Sequence, residues 1–208
     1  MIAIDAQESA ATMVDNYKAW LPDRIRECAE ADRAVVSTML VSGETGSSTV
    51  LPQSADLGDV ASTGNPRDDE FLVDQKIDEV VRSSSAIFDA PEQQDCTDII
   101  GAVCGASHLL EGHSPKNLIF FTDAVNNRKP YELATIALDE KSISNYVEQI
   151  KSDGVLCDLE GVRVSFYGVG IGEGTEVVPS TQFVGIEKFW RALFDAAGAT
   201  VVAYARNP

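Results

Sequence analysis

The feature that most constrains the fold of this chain is the regular alternation of short apolar runs with helical patterns. The first unit is an apolar run that begins at Ile2 and ends in Asp5, followed by a polar turn and a helical pattern over residues 10–31. Further apolar runs cover residues 34–41, 117–122, 162–169 and 199–204, and further helical patterns cover residues 71–88, 98–110, 142–151 and 186–197. Strands that alternate with helices form a mainly parallel sheet with helices on both faces. We therefore expect a doubly wound α/β fold of Rossmann-like type, with the first strand in the middle of the sheet.

The length of the chain, 208 residues, is appropriate for one α/β domain with an ample core, and we predict a single domain over residues 1–208. The segment over residues 42–69 interrupts the alternation, because it is rich in Gly, Ser, Thr, Asp and Pro. We predict a long loop there, with one short strand near residues 49–51.

The chain is strongly acidic, with a formal net charge of −17. Nucleic acids and anionic membrane surfaces bind to basic patches, so this charge argues against both as partners. No apolar run approaches the roughly 20 residues of a membrane-spanning helix, which argues against direct membrane insertion. We also expect no signal peptide, because Met1 leads almost directly into the first predicted strand. That strand is short for a central one, which suggests that residues are missing upstream.

Four cysteines, at positions 28, 96, 104 and 157, are too few and too scattered for a disulfide framework in a chain of this length. We therefore expect separate thiols packed on helices and turns. Cys96 and Cys104 in particular are about two helical turns apart, roughly 12 Å along the axis, which is beyond the reach of a disulfide.

Two of the predicted strands end in an aspartate, Asp5 after the first run and Asp123 after a later one. The carboxyl ends of parallel strands lie along one edge of a sheet, where open α/β proteins bind their ligands. Ser9 in the turn after the first strand, and Thr97 just before a helical pattern, are expected at the same edge. Carboxylate and hydroxyl oxygens suit a hard cation such as Mg²⁺, which keeps positions open for water or an incoming carboxylate. The sequence therefore predicts a site able to bind an acidic partner without catalysis.

These residues resemble the metal-ion-dependent adhesion site of von Willebrand factor A (VWA) domains. That site has an Asp-x-Ser-x-Ser turn after the first strand, a Thr in a mid-chain loop and an Asp after the fourth strand. The corresponding residues of this chain are Asp5, Gln7, Ser9, Thr97 and Asp123. The segment over residues 161–170 is similar to the fifth strand of the family, and residues 189–199 are similar to the closing helix and strand of its bacterial stand-alone members.

The resemblance implies a protein-binding or adhesion-type module, not an enzyme, that ligates an acidic group of a protein partner through a divalent cation. The cation expected is Mg²⁺, with Mn²⁺ or Ca²⁺ as substitutes. The family pattern also implies that Ser9, Thr97 and residue 7 approach the metal directly, whereas Asp5 and Asp123 act through water. Bacterial proteins with this closing segment are often exported, so the resemblance favours an extracytoplasmic location.

The chain departs from the family pattern at three positions of the site. Gln7 replaces a serine, and Cys96 and Ala124 stand where glycines are common. A neutral amide oxygen on a longer side chain fits the compact octahedral shell of Mg²⁺ less well than a hydroxyl does. We therefore expect the native chain to bind the cation weakly.

Two alternatives remain open at this point. The first is a VWA-like interaction domain without metal, in which the same polar groups hydrogen-bond one another. The second is a cysteine hydrolase of the isochorismatase-like type, because residues 4–7 resemble the end of that family's first strand. Those enzymes pair the aspartate with a lysine and a nucleophilic cysteine, for which Cys104 is the candidate here. The spacing of Cys104 does not match that family, and no lysine partner is evident.

Overall fold

A computed structural model of the chain describes residues 1–5, 13–29, 34–43, 53–57, 63–89, 96–133, 137–170 and 180–208. Within these residues, six strands form one sheet, and five α-helices connect or follow them. The strands are β1 (Ile2–Asp5), β2 (Val35–Val41), β3 (Gln53–Asp56), β4 (Lys116–Phe121), β5 (Val162–Tyr167) and β6 (Thr200–Ala205). The helices are α1 (Val14–Ala29), α2 (Pro66–Ser85), α3 (Ile99–Leu110), α4 (Glu140–Ser152) and α5 (Ser180–Ala196).

The order of strands in the sheet is β3-β2-β1-β4-β5-β6. Every neighbouring pair is parallel except β2 and β3, which are antiparallel. The chain therefore builds outwards from β1 in one direction through β2 and β3, and then returns to build in the other direction from β4. The point at which this direction reverses lies between β1 and β4. The prediction of a doubly wound, mainly parallel α/β fold with β1 in the middle is confirmed.

Helices cover both faces of this sheet, which explains why its central strand is apolar on both sides. Ile2 and Ile4 of β1 belong to the core beneath α1 and α2, whereas Ala3 belongs to the core beneath α3, α4 and α5. Among the described residues, no helix has the length and apolar character needed to span a bilayer.

The core beneath α5 is rich in aromatic side chains. Phe120 of β4 stacks on Phe166 of β5 with ring centroids 4.9 Å apart, and Trp190 and Phe194 of α5 pack against Phe166. Burial of each such ring contributes about 1.5–3 kcal/mol. The Trp190 indole N–H also donates to the Ala124 carbonyl oxygen at 2.9 Å, so this core fixes the loop that follows β4.

Several element boundaries differ from those predicted, because helix caps outrank apolar periodicity in setting where a helix begins. α2 begins at Pro66 rather than at residue 71, since Asn65 caps a polar first turn and proline is favoured at its start. Asp98 caps α3. α4 begins at Glu140 rather than at residue 142, since Asp139 caps it.

The strand of the long polar segment is β3, which lies at residues 53–56, a few residues after the predicted strand. The predicted strand near residues 49–51 falls outside the described residues, as do Gln7 and Ser9.

The expectation of four separate thiols is wrong. Cys104 of α3 and Cys157, in the segment before β5, form a disulfide with their Cα atoms 5.3 Å apart. Cys28 and Cys96 are free cysteines, so Cys104 pairs with Cys157 and not with Cys96. The two partners are 53 residues apart in sequence, and only the packing of α3 beside this segment brings them within disulfide reach.

Candidate functional site

The candidate site lies at the carboxyl edge of the sheet, where β1 and β4 end side by side. Asp5 is the last residue of β1 and is fully buried. Thr122, the first residue after β4, donates a hydrogen bond from its hydroxyl to Asp5 Oδ2 at 3.0 Å. The two strand ends are thereby joined directly across the point at which the sheet reverses its direction of growth. Crevices at such a point are the usual ligand sites of open α/β sheets.

Asp123 follows Thr122 and is partly buried. Its Oδ1 atom accepts a hydrogen bond from the Val125 N–H at 2.8 Å. Burial raises the pKa of the Asp123 carboxyl to about 6, although the hydrogen bonds from Val125 and Thr122 act in the opposite direction. The ionised carboxylate is therefore less stable here than in water, and a positive charge beside it would offset that cost.

Thr97 lies at the same edge as the two aspartates. It is 1% exposed, its carbonyl oxygen accepts from the Asn127 N–H at 3.2 Å, and its own N–H donates to Asn127 Oδ1. The next N–H, that of Asp98, donates to the Ser42 carbonyl oxygen just beyond β2 at 3.0 Å. The structure therefore places three of the five residues that the sequence predicts for the site, namely Asp5, Thr97 and Asp123, at one edge of the sheet.

The loop over residues 122–127, called the post-β4 loop below, holds these groups in place. Asn126 is fully buried, and its Oδ1 atom accepts from the N–H groups of Ile99 and Ile100 at 2.8 and 3.2 Å. Its Nδ2 atom donates to the Tyr131 carbonyl oxygen at 2.7 Å. Ala124 has a φ of 67°, a left-handed conformation that glycine adopts more easily.

Sequence reasoning missed three polar residues of this edge, Thr122, Asn126 and Tyr17. The first two belong to a polar run that directly follows an apolar strand, and that run was the available signal. Tyr17 lies within the helical pattern over residues 10–31, and its position in that pattern indicates only a side chain that packs in the core. In the structure, burial raises the pKa of its hydroxyl, and the negative charges of Asp5 and Asp123 raise it further.

The donor set at this edge consists of oxygen atoms. Across the part of the chain that the structure describes, no three His, Cys, Asp or Glu side chains form a group that could hold a metal ion. Two carboxyl groups and a hydroxyl suit a hard cation that retains water molecules, and they do not suit a closed zinc site.

A cavity of about 300 Å³ lies at the opposite edge of the sheet, around the amino ends of the strands. Its lining includes Arg24, His113 and Arg163, together with polar and apolar side chains of the sheet. It is therefore separate from the aspartate-bearing edge.

No protein-family model matches the chain, and no curated protein matches it. Among the solved structures that resemble it is the pilus adhesin SpaC from Lactobacillus rhamnosus GG in its open conformation, with a TM-score of 0.46 and 10% sequence identity. The match covers 100% of this chain and 28% of the adhesin, so the chain spans little more than a quarter of that protein's length. At this TM-score, the likeness carries no argument about function.

Proposed function

We propose that this chain is a protein-binding module of VWA type that holds a divalent cation at the carboxyl edge of its sheet. Through this cation it ligates an acidic group of a partner protein. The observation that carries the proposal is the pair of carboxyl groups, Asp5 fully buried and Asp123 partly buried, at the two strand ends beside the reversal point of the sheet. Thr97 would add a hydroxyl oxygen from the facing loop.

The chemistry of the Asp123 carboxyl group supports a cation. A carboxyl group with a raised pKa lacks the compensating positive charge that would stabilise its ionised form. Within the described ranges, no lysine, arginine or histidine forms an ion pair with Asp123. Mg²⁺, Mn²⁺ or Ca²⁺ would supply that charge, and Gln7 and Ser9 would complete the ligand set implied by the family resemblance. An open coordination position would accept the partner's carboxylate.

Calorimetric titration of the native chain, two variants of the site and one control variant with Mg²⁺ and Mn²⁺ tests the proposal. The native chain should bind weakly, because a glutamine amide at position 7 fits an octahedral shell poorly. Gln7→Ser should bind more tightly, by about tenfold, and Asp123→Ala in the Gln7→Ser background should abolish that gain. Gln75→Ser, at an exposed position of α2, is the matched control and should leave the titration unchanged. If Gln7→Ser binds the cation no more tightly than the native chain does, residue 7 does not face the site.

A metal-free interaction domain is the second candidate, and specific hydrogen bonds favour it. Asp5 already accepts from Thr122, and Asp123 already accepts from Val125. In that case, binding of the partner would persist in excess EDTA, whereas a cation-dependent module would release its partner.

The cysteine hydrolase alternative requires a free thiol on Cys104. In the structure, Cys104 is bound to Cys157, so its sulfur has no thiolate form with which to attack a substrate. The proposal accordingly assigns no catalytic residue.

A further inference from the structure

Among the described residues of the site edge, the hydroxyl group of Tyr17 is a feature that neither the fold nor the proposed ligand set explains. The Tyr17 side chain is fully buried, and its hydroxyl has no hydrogen-bond partner in the part of the chain that the structure describes. Buried polar groups of native proteins are almost always hydrogen-bonded, since an unpartnered donor loses its bonds to water without replacement. A missing partner at this position therefore points to a bound molecule.

The direction of the hydroxyl is fixed by the packing of the ring. The Tyr17 ring stacks on Phe121, the last residue of β4, with centroids 5.5 Å apart and planes inclined by 10°. The hydroxyl end lies against Gly168, just after β5, where a Cβ atom would collide with it. Gly168 has a φ of 98°, which glycine tolerates and other residues rarely adopt. The hydroxyl consequently lies at the carboxyl edge of the sheet, near the ends of β4 and β5.

The electrostatic surroundings determine which role the hydroxyl can play. Burial and the charges of Asp5 and Asp123 raise the pKa of Tyr17, so the hydroxyl keeps its proton and acts as a donor. A water molecule between this donor and the carboxyl groups could accept from Tyr17 and donate its own protons to the carboxylates. Its remaining lone pair would be free to coordinate a cation.

We propose that Tyr17 is a positioning residue of the cation site, whose hydroxyl donates a hydrogen bond to a water molecule bound to the cation beside Asp5 and Asp123. The inference rests on the proposed function and deepens it. Tyr17 orients the water through which the two carboxylates act on the cation. The cost of burying an unpartnered hydroxyl in the metal-free protein is recovered when the hydrated cation binds.

If Tyr17 has this role, Tyr17→Phe should maintain or raise the thermal stability of the metal-free protein and should lower its affinity for the cation. Without divalent cations, the variant should be at least as thermally stable as the native chain, because it removes an unpartnered buried hydroxyl. With Mg²⁺ or Mn²⁺, the variant should bind about five- to tenfold more weakly, which corresponds to the loss of one hydrogen bond. If the hydroxyl only stabilised the fold, Tyr17→Phe would be less thermally stable than the native chain and would bind the cation with unchanged affinity.

The experiment is calorimetric titration and thermal unfolding of the native chain and Tyr17→Phe, each repeated in the Gln7→Ser background to bring affinities into range. Tyr146→Phe is the matched control, because its hydroxyl bonds to the Pro130 carbonyl oxygen away from the site. A shift of the tyrosine absorption band on addition of Mg²⁺ should appear in the native chain and in Tyr146→Phe, but not in Tyr17→Phe.

The possible failures are distinguishable. Equal metal affinity of the native chain and Tyr17→Phe would overturn the role of Tyr17 and leave the cation site standing. A loss of stability in metal-free Tyr17→Phe would show that the hydroxyl has a partner within the protein, and would overturn the inference by itself. Absence of any metal binding in both the native and Gln7→Ser backgrounds would overturn the proposed function and this inference together.

Discussion

Asp123 illustrates at the scale of a single residue how the fold holds a carboxylate in an unfavourable state. The post-β4 loop withdraws its carboxyl group from water, and burial raises its pKa from 3.8 to about 6. A pKa that is higher in the folded than in the unfolded state means that the folded protein binds the proton more tightly. The resulting stability is complete below about pH 4 and is lost as the pH rises through about 6. The cost at neutral pH is what a bound cation would offset.

Asp123→Asn should therefore stabilise the metal-free protein at pH 7.5 by on the order of 2–3 kcal/mol, since each pKa unit corresponds to about 1.4 kcal/mol. Asparagine keeps an oxygen that can accept from the Val125 N–H and carries no charge. Near pH 4 the two proteins should be equally stable. Urea denaturation in EDTA at both pH values measures the difference, with Asp74→Asn at an exposed position of α2 as the control. An unchanged stability of Asp123→Asn at pH 7.5 would show that the carboxyl is well solvated.

At the scale of elements, the post-β4 loop connects the end of β4 with α3 and α5 at the site edge. Its backbone carbonyl at Ala124 accepts from Trp190 of α5, and its Asn126 side chain caps the first N–H groups of α3. The first four N–H groups of a helix have no partner within it, so Asn126 supplements the cap that Asp98 provides to Gly101. The loop thus holds the start of α3, and Thr97 before it, against the strand ends.

Asn126→Ala should cost about 3–5 kcal/mol, because it leaves two buried N–H groups and one buried carbonyl without their partner. Hydrogen exchange of the Ile99 and Ile100 amides should accelerate by more than that of amides in the middle of α3. Asn117→Ala, at an exposed asparagine of β4, is the matched control and should change stability by about 0.5 kcal/mol or less. A loss as small as that of the control would mean that water replaces the asparagine side chain.

At the scale of the whole molecule, the Cys104–Cys157 disulfide joins α3 to the segment that leads into β5, across 53 residues of sequence. A cross-link that closes a loop of this length stabilises a protein by about 4 kcal/mol, mainly by restricting the unfolded chain. Disulfides persist in oxidising compartments and are rare in the cytosol.

Replacement of both Cys104 and Cys157 by alanine should lower the free energy of unfolding by about 3–4 kcal/mol. Cys96→Ala, which removes a free cysteine, is the control and should cost about 1 kcal/mol or less. Thiol titration of the urea-unfolded native chain should find two reactive thiols before reduction, from Cys28 and Cys96, and four after it. Four thiols before reduction would contradict the disulfide.

The architecture and the approximate position of the site edge follow from local patterns in the sequence. Apolar runs that end in Asp5 and Asp123, separated by helical patterns, require parallel strands whose carboxyl ends meet at one edge, because a crossover helix returns the chain to the same side. The contacts of Tyr17, Asn126 and Cys157 depend instead on residues far away in sequence. Local periodicity does not predict such partners. Their roles emerge only once packing against the sheet brings a helix, a loop and a distant segment together.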